Sequence, residues 1–139
     1  MTAASDYLEN KVLDHVLTAT SYSAPSTRYL ALFNNTSGNA NTNLEAGTLT
    51  DEVSSTGTGY SRKSVTFSAA SSGTSATSAT VTFDAATASW GTITHVAIVD
   101  GPTRGAGNVL FYGAVTTSKT IDTGDTFQVT SGNLTISLA

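Results

Sequence analysis

Ser89–Val115, SWGTITHVAIVDGPTRGAGNVLFYGAV, is the stretch that decides the fold. Thr94–Val99 is rich in β-branched residues and stops at Asp100-Gly101-Pro102. Thr103–Asn108 contains Gly105, Gly107 and Asn108, and Val109–Val115 is the return strand. Turn residues between two β-rich runs predict a hairpin. Both runs are apolar at nearly every position, the pattern of strands covered on both faces. Trp90 stands at the entrance, where a large aromatic buries enough surface to anchor a small core.

Downstream of the hairpin, Lys119–Ile121 reads as a short strand and Asp122–Asp125 as a turn. Thr126–Val129 and Leu134–Leu138 read as a closing hairpin around Ser131-Gly132-Asn133. Upstream, Ser61–Phe67 and Thr77–Phe83 alternate apolar and polar residues, which predicts two half-buried strands joined by the Ser/Ala/Gly/Thr turn at Ala69–Ser78. Thr27–Phe33, TRYLALF, is a further apolar strand. Between it and Gly59 the chain is a long polar stretch in which Leu44–Ala46 and Asp51–Val53 are the only candidates for order. A loop of that length is functional or mobile, so residues 34–59 are expected to be mobile in the free chain and to order on assembly.

One helix is expected, at residues 5–17, with Asp6 as its cap and Glu9 three residues on. Leu8, Val12, Leu13, Val16 and Leu17 gather on about half of its circumference. About a dozen residues are marginal as an isolated helix, so this one must pack on something. The sum is a mainly β, single-domain, antiparallel β-sandwich over residues 27–139, with the long loop 34–59 and one N-terminal α-helix.

Composition agrees. Of 139 residues, 26 are Thr and 18 are Ser, an excess that favours strands over a helical bundle. The net charge is −4 with six Lys and Arg, which argues against a nucleic-acid partner. No Cys is present, so disulfides, thiolate metal sites and Cys nucleophiles are excluded. No apolar run reaches the roughly 18 residues of a membrane helix. The start, MTAASDYLENK, lacks the basic and apolar regions of a secretory signal.

Candidate chemistry is sparse. Asp122-Thr123-Gly124 spells the aspartic-protease triplet, but that chemistry needs two aspartates sharing a proton, and Asp and Gly are also what a turn requires. His95 lies within a strand with no nucleophile elbow or HExxH motif near it, and reads as structural or surface. His15 reads as solvated. Asp84, Asp100, Asp122 and Asp125 fall in turns and would hold Ca²⁺ only if the fold gathered them, since the EF-hand spacing is absent. Gly57-Thr58-Gly59-Tyr60 is glycine-rich but precedes a strand and lacks the Lys-Ser/Thr of a phosphate loop. Arg62-Lys63, the one basic pair, reads as a solvated strand edge. No catalytic, cofactor or metal-ligating residue is assigned.

Seven segments carry a resemblance: SDYLENKVLDHVL at 5–17, YLALF at 29–33, GYSRKSVTF at 59–67, ASWGTITHVAIVD at 88–100, LFYGAVTTSKTI at 110–121, TGD at 123–125 and NLTI at 133–136. In this order they resemble a family of small virion structural proteins of tailed bacteriophages, commonly described as tail-fibre or structural proteins. The resemblance covers nearly the whole chain. It is most specific at Trp90-Gly91 and Leu110–Ala114, and Asn34–Thr58 departs from it. It implies a non-enzymatic virion component assembled in the host bacterial cytoplasm. The leading expectation is a capsid decoration (cement) protein that binds the outer shell, with the major capsid protein or other virion proteins as partner and a homotrimer as its form. The alternative is a tail-fibre or tail-tip appendage that touches the host. A hydrolase is the third, since a glycosidase needs two placed carboxylates, usually beside exposed aromatics, whereas Trp90, Phe111 and Tyr112 lie in strands that read as buried.

Overall fold

The computed structural model describes residues 3–138. At its centre is the expected hairpin, β6 (Gly91–Val99) against β7 (Val109–Ile121). The return strand is longer than the sequence suggests. Lys119–Ile121 is no separate strand, because β7 continues through it and pairs Ile121 with Gly91. Register shifts at Ile93/His95 and Ile98/Val99 let the long strand twist without losing its partner. With β1 (Ala3–Ala4), β2 (Arg28–Phe33) and β3 (Lys63–Val65), the pair forms a five-stranded antiparallel sheet in the order β1-β7-β6-β2-β3.

Two short ladders cover one face. β4 (Thr74–Ala76) pairs with β9 (Thr135–Ser137), and β5 (Val81–Thr82) pairs with β8 (Gln128–Val129). The closing hairpin expected from residues 126–138 is thus absent. Its two arms pair separately with strands some fifty residues upstream, a choice that local turn residues cannot reveal. The expected meander of 61–67 with 77–83 is reduced to a bridge between Phe67 and Thr77, and β4 lies inside what reads as its turn. The second layer of the sandwich is therefore two small ladders instead of one sheet. Between the layers, Leu30, Leu32, Ile98 and Leu110 meet Val81, Phe83, Phe127 and Ile136. Phe83 is the hub of an aromatic group, with ring centroids 6.1 Å from Tyr60, 6.2 Å from Trp90 and 5.8 Å from Phe127.

Residues 34–49 cover the other face, and Val53 beyond them joins the core between the layers. The covering residues include a short helix, α2 (Ala40–Glu45), whose Leu44 packs with Ala31, Phe33, Ala97, Val99 and Tyr112. This is why β2 and β6 are apolar on both sides. The stretch expected to be a mobile loop is packed in place, and Ala40, Leu44, Asp51, Glu52, Val53 and Thr58 are all buried.

Helix α1 (Asp6–Leu17) is present, but Ser5, not Asp6, caps it: its side-chain oxygen accepts from the Leu8 N–H at 3.3 Å. The Ser5 hydroxyl also donates to the Val109 carbonyl, and the Ser5 N–H donates to Leu110 O at 3.0 Å. The helix start is thus tied to β7. Of its five aliphatic residues only Leu8 is buried.

Candidate functional site

The most concentrated polar chemistry in the described chain centres on Glu52. Asp51–Val53 runs beside the end of β2, where Asn34 N–H donates to Asp51 O and Val53 N–H donates to Leu32 O, both at 3.0 Å. This places the Glu52 carboxylate inside the protein. Arg62 reaches it with Nε to Oε1 and Nη2 to Oε2, both at 2.8 Å, a bidentate pair with both side chains fully buried. The Tyr60 hydroxyl donates to Oε1 at 3.0 Å and accepts from the Leu32 N–H at 3.0 Å. The Gly105 N–H, from the turn between β6 and β7, donates to Oε2 at 2.7 Å.

The same turn is held from the other side. Arg62 Nη1 donates to Gly101 O at 2.8 Å and Ala106 O at 2.9 Å. Arg104 returns the contact, donating to Glu52 O at 2.6 Å and Val53 O at 3.1 Å. Burial, then the Glu52 charge, push the Tyr60 phenol far above its ordinary range, so it stays protonated as a donor. Both Glu52 oxygens are occupied by donors of the chain itself. Among the described residues no buried side-chain nitrogen or oxygen lacks a partner. An arrangement so saturated has no free lone pair for a substrate proton or a metal, and what it does is clamp three loops together.

This network corrects the reading of the basic pair. Arg62 is not on a solvated edge; it is the buried centre of the clamp. Lys63 does lie at the edge, where it pairs with Asp84 at 2.7 Å. A polar stretch with one Glu and an Arg ten residues later carries no signal that the two will be buried together. The Gly57–Tyr60 motif also has a structural purpose. Gly59 has φ +73°, and a Cβ there would stand 3.3 Å from Ala85 O and the Thr87 side chain, so the turn needs Gly. Thr58 O beside it accepts from the Trp90 indole N–H at 2.9 Å. Trp90 is buried core, as its position predicts.

The remaining candidates are dispersed. Asp122 and Asp125 close a turn on each other: Asp122 N–H donates to Asp125 Oδ2 and Asp125 N–H donates to Asp122 O, each at 3.0 Å. Asp100 is held by the Asn108 backbone and side chain at 2.7 and 2.8 Å, and Asp84 by Lys63. Among the described residues no three acidic or His side chains gather in a metal-binding group. His95 is buried on β6 with Nδ1 2.8 Å from Thr94 Oγ1. Burial lowers its pKa, opposed by the charge of Asp51. His15 is exposed and accepts from the Tyr22 N–H.

A second carboxylate, missed in the sequence, organises the start of the segment over the sheet. Asp51 accepts from Ser37 N–H at 2.9 Å, Ser37 Oγ at 2.6 Å and Thr36 Oγ1 at 3.1 Å. Burial raises its pKa, but the Ser37 and Thr36 bonds outweigh that and hold the carboxyl below its ordinary range. Asp51, like Glu52, serves the fold.

No helix among the described residues is long and apolar enough to cross a membrane. No curated protein shows significant similarity to the sequence. The sequence model of one family does match, over residues 3–137. Its description is Podophage GP4 fiber I protein gp80, and with nearly every described residue inside the match, the chain belongs to this phage fibre family.

Proposed function

We propose that the chain is a small, non-enzymatic structural module of a phage tail appendage, displayed on or near a fibre. The observation that carries this reading is the family match across residues 3–137. The geometry fits it, since the buried carboxylates are spent on internal hydrogen bonds and the exposed chemistry is turns and apolar surface. A globule of this length has a radius of gyration of about 14 Å, so it serves as a knob or a joint and not as a shaft. Decoration of the shell, the leading expectation from the sequence, has no specific support from a fibre family. Purified virions separated into heads and tails test the choice. Quantitative mass spectrometry is expected to find the protein in the tail fraction at low copy number per particle. A high copy number travelling with the heads would reverse the assignment.

A further inference from the structure

Two apolar surfaces of the chain have no cover within it. The first is a ridge on α1. Exposure climbs along the helix, from 40% at Val12 and 54% at Leu13 to 70% at Val16 and 74% at Leu17. These side chains follow a regular apolar stripe, which a solvated helix does not need. The second is an open hollow of about 350 Å³ at the side of the sandwich, where Phe67, Ile98, Leu110, Phe111, Ile136 and Leu138 form most of the wall. Leu138 there is 59% exposed. The hollow has room for more than one leucine side chain. The chain cannot fill it with its own ridge, because Ser5 and Leu8 pin the first turn of α1 to β7 and the core.

Charge matches the two surfaces. Arg28 is the one ionisable residue on the wall of the hollow. Its Nη1 donates to Pro25 O at 3.1 Å, and it makes no ion pair among the described residues. The ridge belongs to an acidic helix, with Asp6, Glu9 and Asp14 against Lys11. Asp14, three residues before Leu17, borders it on the helix surface. Area points the same way. The ridge alone offers on the order of a few hundred Å², the size of the largest apolar patch on a typical monomer, which is often functional, and short of the roughly 800 Å² per partner of a standard interface. Ridge packed on ridge would leave the hollow open. Ridge packed into hollow uses both.

We propose that the Val12–Leu17 ridge of one copy docks into the Phe67–Phe111–Ile136 hollow of a second copy, with Asp14 facing the second copy's Arg28. The two patches differ, so each copy gives its ridge to a neighbour and receives a ridge in its hollow. Such a contact gives a reciprocal pair or, where the rotation closes, a ring. The proposal is independent of where on the virion the protein sits.

Sedimentation of the full chain and two exposed-surface variants tests it. The ridge variant carries Leu13→Gln and Leu17→Gln; the hollow variant carries Ala70→Glu and Leu138→Asp. The wild type is expected as a discrete oligomer at micromolar concentration, and each variant alone as a monomer. Mixed, they should form a 1:1 complex, because one intact ridge then meets one intact hollow. A hollow variant that stays oligomeric would mean helix-to-helix packing, and a mixture that stays monomeric would mean that ridge and hollow do not meet; either result overturns the proposal. A wild type that is monomeric throughout would leave both surfaces to other virion proteins and overturn it equally. A charge exchange guards against loss of fold: Arg28→Glu and Asp14→Arg should each weaken association about fivefold, and together restore it. Absence of that rescue would also count against the contact.

Discussion

Helix α1 and the segment from Asn34 to Gly59 flank the same sheet and are built of opposite materials. The helix has five aliphatic residues in a regular stripe, and four of them face solvent. The segment has Gly, Asn, Ser and Thr throughout, yet it buries Asp51, Glu52 and Thr58 beside Leu44 and Val53. The apolar element is tied to the sheet at its first turn. The polar element is tied down along its length, by Leu44 against one face of the sheet, by Asp51 at the Thr36–Ser37 turn, and by Glu52 through Arg62, Tyr60 and Gly105. Apolar periodicity signals that a surface will be covered without saying by which chain. Polar composition signals a loop only when the polar groups are left to water. Here they find one another, and buried polar groups that are fully paired specify a structure.

The contrast breaks most visibly at the clamp. Arg62→Ala removes the partner of a buried carboxylate and the donor to two turn carbonyls. It should destabilise the chain by about 3–5 kcal/mol, read as a shift in the midpoint of denaturant unfolding. Pairing Arg62→Met with Glu52→Gln should recover part of that loss, because no charge is then left buried alone. If Arg62→Ala cost no more than a surface change, the segment would be the loop its composition suggests.

Asp51 has a smaller effect. Asp51→Asn should cost about 1–2 kcal/mol by weakening charge-assisted hydrogen bonds from Ser37 and Thr36. Its acid dependence follows from the lowered pKa. The folded chain binds fewer protons at this site than the unfolded chain, whose value is near 3.8. The contribution of Asp51 is therefore complete above that value and is lost as pH falls through the lower folded value. Below about pH 4 the wild type should lose stability more steeply than Asp51→Asn. Parallel profiles would contradict the role given to this carboxylate.

The least effect on the monomer is expected at the ridge. Leu13→Gln with Leu17→Gln should change the stability of the monomer by no more than about 0.5 kcal/mol, because neither side chain is packed. A loss of several kcal/mol would show that α1 is held by its own chain after all.

These residues also mark how far the sequence could be read. The β6–β7 hairpin was legible because its partners are neighbours in the chain and a Gly-rich turn joins them. The helix was legible from its period, with an error of one residue at the cap, where Ser5 serves β7 and the helix together. The pairings of β4 with β9 and of β5 with β8 were not legible. Strands of two or three residues carry no register of their own, and partners distant in sequence are chosen by the core they share. The pairing of Arg62 with Glu52 was not legible for a related reason. Each is an ordinary surface residue until the other is brought beside it, and only the fold does that. The turn at Asp122 and the core position of Trp90 followed from local chemistry.

Hydrogen exchange, followed residue by residue in the wild type and in the hollow variant, tests the contrast most directly. The amides of Asn34 and Val53, bonded to Asp51 O and Leu32 O, should be protected to a similar high degree in both proteins. The amides of Val12–Leu17 should exchange fast in the monomeric hollow variant and slowly in the assembled wild type. That result would place residues 34–59 in the fold and α1 in the assembly. Fast exchange at Asn34 and Val53, or equal protection of Val12–Leu17 in both proteins, would contradict the account.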